Sequence, residues 1–193
     1  MRTVSFRQMK DGTKADYEFL DKLEQGYIAG LPDRVLRALR ALDDTLSGYQ
    51  VTRLEHSLQA ATRAENDGAD QEMILGALIH DLGDDLAPEN HSQYAAVIIR
   101  PYVRPEVTWV VEHHGLFQKV YYAHHFGEDP YAREIYADHP YYESCLRFCE
   151  RWDQASFDPD YPTRSLSHFE PLVRRVFSRA PFDPEIVEDA GAR

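Results

Sequence analysis

The sequence predicts an all-α protein, folded as a single helical bundle. Apolar residues recur every three or four positions through most of the chain, as Val35, Leu39 and Leu42 do, and this spacing is typical of amphipathic helices. Alternation of apolar and polar residues, the pattern of a strand, never extends beyond four residues. With 193 residues, 43% of them apolar, the chain can bury one core of ordinary size. We therefore assign 1–193 to one domain, with its core at about 13–180.

Capping and breaking residues divide this bundle into its predicted helices. Thr13 can cap the first helix, and Asp16 three residues later completes a weak capping pattern. Pro32 suits the first turn of the second helix, where a proline is tolerated. Gly115 is expected to end the sixth helix. The predicted helical ranges are 13–27, 32–46, 51–65, 71–81, 91–99, 106–114, 143–154 and 167–177.

Two further stretches carry less regular patterns. Residues 116–142 are aromatic and polar, and Pro130 and Pro140 interrupt them. We expect short helices and loops there that lie over a site, which makes 116–142 a candidate lid. The acidic end of the chain, 181–193, is predicted to be a frayed tail.

Composition restricts the partners and the cellular location. The net charge of −12, from 33 acidic and 21 basic residues, argues against nucleic acid, because phosphate backbones require concentrated Lys and Arg. It leaves room for a small phosphorylated ligand and mildly favours a cationic one. The chain has neither a run of about 18 apolar residues nor the pattern of a signal peptide, which argues against a membrane. Cys145 and Cys149 resemble small buried hydrophobes of a reducing compartment. We predict a cytoplasmic protein with a small-molecule partner and leave the oligomeric state open.

The most informative stretch is 74–83, a run of Ile, Leu and Ala that ends on His80, Asp81 and Gly83. Imidazole and carboxylate together suit zinc, iron or manganese. Adjacent positions on a helix lie about 100° apart, so both side chains reach one ion only from a widened turn, unless Asp81 bridges to a second ion. The alternative is that Asp81 caps a turn and His80 is a hydrogen-bonded core histidine.

Other polar residues favour the metal interpretation. His80 follows His56 by 24 residues, and His91 follows Asp81 by 10. A pair of histidines follows His91 by 22 and 23 residues. Each interval is about one helix plus a turn, so each segment can deliver a ligand to the same place. The candidate ligands, all at or near predicted helix ends, are His56, His80, Asp81, His91, His113, His114 and Asp153.

This H…HD…D pattern on a helical scaffold resembles the HD-domain superfamily, and the additional histidines resemble its two-metal subset. The resemblance implies a dinuclear metal site at the centre of the bundle, with His80 and Asp81 in the catalytic centre. It further implies two ligand sets that share Asp81 as a bridge. One set is His56, His80, Asp81 and Asp153, and the other is Asp81, His91 and either His113 or His114.

Two segments narrow the resemblance. The stretch 51–59 (VTRLEHSLQ) and the stretch 151–153 (RWD) resemble the mixed-valent di-iron HD oxygenases, which are related to myo-inositol oxygenase, and in particular their phosphonate-cleaving PhnZ/TmpB-like branch. This resemblance implies two iron ions, Fe(II)/Fe(III), with O2 as co-substrate. It implies C–P bond cleavage of a small hydroxyphosphonate, (R)-1-hydroxy-2-(trimethylammonio)ethylphosphonate, to glycine betaine and phosphate. The alternatives are a metal-dependent phosphohydrolase of a phosphate ester or nucleotide, and a non-catalytic nucleotide sensor.

The sequence departs from the branch at two positions that bear on the substrate. Asp84 stands where PhnZ-like enzymes carry a histidine, and the usual lysine after the fifth ligand has only Gln118 and the offset Lys119 as counterparts. An added carboxylate and many tyrosines suit a quaternary ammonium group, which binds aromatic faces. Tyr49, seven residues before His56, is a candidate for an open iron position. The candidate substrate-binding residues are Tyr49, Gln59, Asp84, Gln118, Lys119, His124 and His125.

Overall fold

The predicted all-α fold is confirmed. A computed structural model describes residues 2–187, and these residues form helices and connecting turns with no β-strand. Short 3₁₀ segments join several of the helices, and a π-helical turn follows one of them. The α-helices are α1 (Lys14–Ala29), α2 (Leu31–Ala41), α3 (Arg53–Asn66), α4 (Gln71–Ile79), α5 (His91–Ile99), α6 (Pro105–Tyr122), α7 (Tyr142–Phe148), α8 (Leu166–Phe177) and α9 (Pro184–Val187).

The starts of α1 and α3 use the same local device. Thr13 accepts a hydrogen bond from the backbone N–H of Asp16, whose carboxylate accepts one from the N–H of Thr13, so the predicted capping pattern of α1 is confirmed. Thr52 and Glu55 form the equivalent capping box at α3. Reciprocal bonds of this kind satisfy two backbone donors that a helix start leaves unpaired. They fix the first turn of α3, which carries His56.

Helix α4 is the centre of the bundle. All of its residues from Met73 to Ile79 are buried, as an apolar helix without a polar face requires. Helices α3 and α6 pack against α4, α5 packs against α6, and α8 contacts α4 from another side. The last residue of α4 is followed at once by His80, so the most buried helix delivers its polar end to the interior.

The prediction that Gly115 ends the sixth helix is wrong. Helix α6 continues from Pro105 to Tyr122. A Cβ atom at Gly115 would lie 2.9 Å from the Ser92 hydroxyl oxygen of α5, so this glycine allows two helices to approach closely. The first seven residues of the candidate lid, 116–122, therefore belong to a helix. Its remainder contains the 3₁₀ segments Ala123–Phe126 and Ala132–Tyr136.

The predicted helix over 143–154 consists of two parts. Helix α7 ends at Phe148, and Cys149–Asp153 form a π-helical turn in which the N–H of Gln154 bonds the carbonyl of Cys149 at 3.1 Å. Single π turns are rare in proteins, and those that do occur are frequently found at functional sites. The turn ends on Asp153, one of the candidate ligands.

The last described segment, 181–187, packs back on the bundle at Phe182. The N–H of Phe182 donates to the carbonyl of Pro101 at 2.7 Å, ahead of the short α9. The frayed tail was predicted over 181–193, and its last part, 188–193, lies outside the described residues. Within residues 2–187, no helix has the length and apolar character needed to cross a membrane.

Candidate metal centre

Six of the candidate ligands meet in the interior. All except the half-buried His91 are buried, and their potential ligand atoms form overlapping groups within 4.8 Å. They come from α3, the end of α4, the start of α5, the middle of α6 and the π turn. The residues that meet are His56, His80, Asp81, His91, His114 and Asp153.

The first half of the cluster contains His56, His80 and Asp153, together with Oδ2 of Asp81. The Nε2 atoms of the two histidines lie 3.0 Å apart. Oδ2 of Asp81 lies 3.3 Å from Nε2 of His56 and 3.5 Å from that of His80. Oδ1 of Asp153 lies 3.3 and 3.6 Å from the same two atoms. Each of the two carboxylate oxygens therefore lies within 3.6 Å of both imidazole nitrogens.

The second half lies on the other oxygen of the Asp81 carboxylate. Oδ1 of Asp81 lies 3.5 Å from Nε2 of His91 and 3.4 Å from Nε2 of His114. One carboxylate thus directs its two oxygens at two different pairs of histidines. This is the arrangement that a carboxylate bridging two ions requires.

These spacings fit metal coordination. Two ligand atoms that each lie about 2.1 Å from one ion, at angles of 90–109°, are roughly 3.0–3.4 Å apart. The distances in the first half span 3.0–3.6 Å. In addition, Oδ2 of Asp153 is buried and has no hydrogen-bond partner among the described residues. A buried carboxylate oxygen without a partner is costly unless an ion binds it, so the donor set fits a metal.

Every histidine of the cluster is oriented by a backbone carbonyl. The Nδ1 atoms of His80, His91 and His114 lie 2.8, 3.3 and 2.7 Å from the carbonyl oxygen three residues earlier in the chain. Nδ1 of His56 lies 3.0 Å from the carbonyl of Ser156. Because a carbonyl oxygen only accepts, Nδ1 of each neutral imidazole carries the proton, and its Nε2 lone pair then faces the cluster. Histidines that bind metals are usually oriented in this way.

The electrostatics of the cluster favour a positive charge at its centre. Burial disfavours the imidazolium of His56, but the carboxylates of Asp153 and Asp81 outweigh burial and raise its pKa to about 10. Burial alone would raise the pKa of Asp81 and Asp153, yet the neighbouring histidines lower it in both carboxyls. The pKa of His114 is also raised, by Asp81 and Asp153 against burial. A bound divalent cation would supply the charge that the protons otherwise provide.

Gly83 explains how Asp81 meets His91. A Cβ atom at Gly83 would lie 2.6 Å from both the Cα and the carbonyl oxygen of His91. The loop after α4 therefore passes directly over the backbone at the start of α5, and no larger residue fits there. The glycine of the HDLG motif holds the two ligand segments together.

Two residues that the sequence analysis did not single out lie against the cluster. Nη1 of Arg53 is 3.4 Å from Oδ2 of Asp81, and its Nε is 2.9 Å from Oδ2 of Asp84. The ring of Phe157 stacks on His56 with centroids 4.3 Å apart. Arg53 could have been found, because it precedes His56 by one helical turn and shares its face. No sequence signal pointed to Phe157.

The structure brings two of the predicted substrate residues, Tyr49 and Asp84, next to Arg53 on one side of the cluster, which we call its mouth. Tyr49, 54% exposed, stacks on Phe157 at 4.9 Å and lies under the guanidinium of Arg53. Asp84 pairs with Arg53 and lies 3.5 Å from Nδ1 of His91. Burial raises the pKa of Tyr121 and Tyr122, and the Asp153 carboxylate adds to both shifts, so these phenols lie within its electrostatic reach.

Other predicted residues lie elsewhere. His113 stacks on Trp109 at 4.2 Å, so the structure brings His114 and not His113 into the cluster. The amide of Gln59 is engaged by the backbone of Asp158, to whose carbonyl it donates and from whose N–H it accepts. His113 was predicted to bind a metal and Gln59 to bind substrate. Both contact protein groups instead.

The remaining predicted substrate residues belong to α6 and the 3₁₀ segment after it. Lys119 forms an ion pair with Glu128 at 2.8 Å. Gln118 is its half-buried neighbour on α6. The exposed imidazoles of His124 and His125 pack on each other at 3.9 Å. None of these four residues contributes an atom to the described ligand groups.

Comparison with known proteins defines the class. The model of the HD domain family matches residues 53–148, so this part of the chain is an HD domain. The match contains the ligand segments from His56 to His114, and Asp153 follows it by five residues. Among curated relatives, the chain is 32% identical over 110 residues to "[1-hydroxy-2-(trimethylamino)ethyl]phosphonate dioxygenase (glycine-betaine-forming)" of Leisingera caerulea. That alignment covers 49% of this chain and 53% of the relative, about half the length of each.

Proposed function

We propose that this chain is a non-haem di-iron HD-domain oxygenase that uses O2 to cleave the C–P bond of a small hydroxyphosphonate. The observation that carries the proposal is the Asp81 carboxylate, which directs one oxygen at His56 and His80 and the other at His91 and His114. A site for two ions, rather than one, is what a dinuclear oxygenase requires. The similarity to a phosphonate dioxygenase supports the same class of reaction.

The donor set is compatible with iron. Imidazole and carboxylate ligands suit iron, and they also accept zinc or manganese. His56, His80 and Asp153 would hold one ion, His91 and His114 would hold the other, and Asp81 would bridge them. Two iron ions, when bound, supply the redox chemistry with O2 that no side chain of this chain provides.

The proposed reaction balances without an external reductant. The substrate, 1-hydroxy-2-(trimethylammonio)ethylphosphonate, reacts with one O2 to give glycine betaine, hydrogen phosphate and one proton. The C–H bond and the C–P bond at the carbon that bears the hydroxyl each give up two electrons, and together these reduce O2 fully. One oxygen atom enters the new carboxylate and one enters the phosphate. A protein that only holds the metals and orients the substrate is therefore sufficient.

Residues at the mouth of the cluster suit a zwitterionic substrate. The Arg53 guanidinium, whose side chain is only 16% exposed, can bind phosphonate oxygens through paired N–H groups. The exposed ring of Tyr49 and the phenols of Tyr121 and Tyr122 offer faces for a trimethylammonium group. Asp84 adds a negative charge on the same side. We propose that Arg53 orients the phosphonate end and that the aromatic rings receive the ammonium end.

We further propose that segment 123–142 is a lid and that the protein is cytoplasmic. The segment follows the helix that carries His114, and its closure over the mouth would exclude water from the reaction. The buried thiols of Cys145 and Cys149 fit a reducing cytoplasm.

The test combines metal analysis with oxygen consumption. Protein purified without chelator should contain close to two irons per chain. It should consume O2 with the trimethylammonium hydroxyphosphonate and release one phosphate per O2. Arg53→Met should raise KM by roughly tenfold or more, since a charge-assisted hydrogen bond contributes about 1.5–3 kcal/mol.

The control for metal content is His113→Ala. It removes the imidazole next to His114 in the sequence, which lies outside the cluster, and the variant should keep both irons. Phosphate release from ordinary phosphate esters without O2 uptake would contradict the oxygenase proposal and establish a phosphohydrolase. Two irons with O2 uptake on a different hydroxyphosphonate would retain the class and change the substrate.

A further inference from the structure

The π-helical turn Cys149–Asp153 presents Asp153 to the cluster, yet within residues 2–187 no group outside the cluster binds the Asp153 carboxylate. Its Oδ1 faces only the histidines, and its Oδ2 has no hydrogen-bond partner among the described residues. The position of this carboxylate is therefore set by the backbone of the turn. Insertion of one residue into a helix rotates everything after it by about 100°, so small changes in the turn would redirect Asp153.

Asp67 holds this turn from the side opposite the cluster. Its Oδ1 accepts from Nη2 of Arg151 at 2.9 Å, and its Oδ2 accepts from Nε1 of Trp152 at 2.7 Å. Both oxygens are thus occupied by the two residues that immediately precede Asp153. Asp67 itself is fixed as the C-terminal cap of α3, where its N–H bonds the carbonyl of Arg63 at 3.0 Å.

We infer that Asp67 is a positioning residue of the metal centre, which fixes the π turn through Arg151 and Trp152 and thereby places Asp153 in the first half of the cluster. The buried Trp152 and the buried Asp153 point in different directions from adjacent positions, one toward Asp67 and the other toward His56. The inference rests on the proposed metal centre and does not depend on which reaction the centre catalyses.

The inference is tested by titrating metal-free protein with Co(II), whose visible absorption reports the ligands of each ion. Asp67→Ala should weaken the binding of one Co(II) by about 10–100-fold, as the loss of residues that orient ligands usually does, and should leave the second ion unaffected. Asp67→Asn, which keeps an acceptor for Trp152 but loses the ion pair, should weaken binding less. Trp152→Phe should approach the effect of Asp67→Ala.

The control is Glu65→Gln on the same helix. Glu65 has similar exposure and pairs with Arg164 at 2.7 Å and His168 at 3.0 Å, but these partners hold no ligand segment. The Glu65→Gln protein should bind both Co(II) ions as the unaltered protein does. Thermal unfolding of the metal-free variants monitors the structural cost of each change.

A double-mutant comparison separates positioning from general destabilisation. If Asp67 acts through Asp153, then adding Asp67→Ala to Asp153→Ala should cause no further loss of Co(II) affinity. Additive losses would overturn the inference, and so would an Asp67→Ala protein that binds both ions normally. An unaltered protein that binds no metal would overturn both this inference and the proposed function. Two bound ions without oxygenase activity would contradict only the proposed reaction.

Discussion

The two halves of the metal centre differ in their access to solvent. In the first half, the side chains of His56, His80 and Asp153 are 0–5% exposed, and α3, α4 and the π turn enclose them. In the second half, the His114 side chain is 3% exposed, but the His91 side chain is 27% exposed and its Nδ1 lies 3.5 Å from Asp84. The first half is therefore part of the core, and the second reaches the edge of the core at His91.

The difference has a consequence for stability. Two carboxylates and two imidazoles in the core must be neutralised by protons or by an ion, because isolated buried charges are costly. Folding and the binding of an ion in the first half would thus be coupled. The second half would lose an ion at a smaller structural cost.

The largest expected effect separates the two halves by metal content. Asp81→Ala removes the carboxylate that both halves share, so we expect the protein to retain almost no metal. His91→Ala removes a ligand from the second half alone and should leave about one ion per chain. Elemental analysis of the purified variants measures both. Equal metal contents in the two variants would contradict the bridging role of Asp81.

A smaller effect is expected where the two halves are joined by the backbone. Gly83→Ala inserts a Cβ atom 2.6 Å from the backbone of His91, and forced overpacking typically costs about 1–3 kcal/mol. The second half should lose its ion, while the first half keeps its own. Chemical denaturation and metal analysis test this expectation.

The control is Gly26→Ala within α1, where an added Cβ atom meets nothing within 4 Å. This change should stabilise the protein by roughly 0.5–1 kcal/mol through helix propensity. A Gly83→Ala protein that retains both ions would show that the loop can move away from His91.

Much of this arrangement followed from the sequence, since its patterns are local. The intervals between His56, His80 and His91 each correspond to one helix and a turn, and the Thr13 capping pattern lies within four residues. Such signals do not depend on the rest of the fold, and the fold class they predicted is confirmed.

The remaining features depend on contacts between distant segments. Gly115 has the sequence signature of a helix end, but its close approach to Ser92 gives it a packing role inside α6. The choice between His113 and His114 depends on which face of α6 meets α4 and α5, and adjacent positions differ by about 100°. The π turn that ends on Asp153 contacts Asp67, 86 positions earlier in the chain than Asp153. Spacing along the chain contains none of these contacts.

The pH dependence of stability should also distinguish protein with and without metal. The pKa of His56 is raised from 6.5 to about 10 in the folded metal-free protein, so its protonation stabilises the fold fully below about pH 6.5. That stabilisation declines as the pH rises toward 10. Metal binding requires neutral imidazoles and is therefore favoured at higher pH. We expect the difference in Tm between the metal-loaded and the metal-free protein to widen from pH 6.5 to 9.

Thermal scans at constant ionic strength measure this difference, and His56→Gln provides the comparison because it removes the titrating group. The lowered pKa values of Asp81 and Asp153 act at the acidic end. Their stabilisation is present above about pH 4 and is lost as the pH falls further. A Tm difference that stays constant from pH 6.5 to 9 would contradict the competition between proton and metal.

The smallest expected effect is the change in kcat/KM on replacing Lys119. Lys119 was predicted to bind substrate, but its ammonium pairs with Glu128 at a largely solvated position, where an ion pair contributes at most about 1 kcal/mol. Lys119→Met should therefore change kcat/KM for the hydroxyphosphonate by less than about twofold, far less than Arg53→Met. If the two substitutions reduce kcat/KM equally, Lys119 must leave Glu128 and reach the substrate when segment 123–142 closes. That result would mean that Lys119 forms a second anion site, which exists only when segment 123–142 is closed.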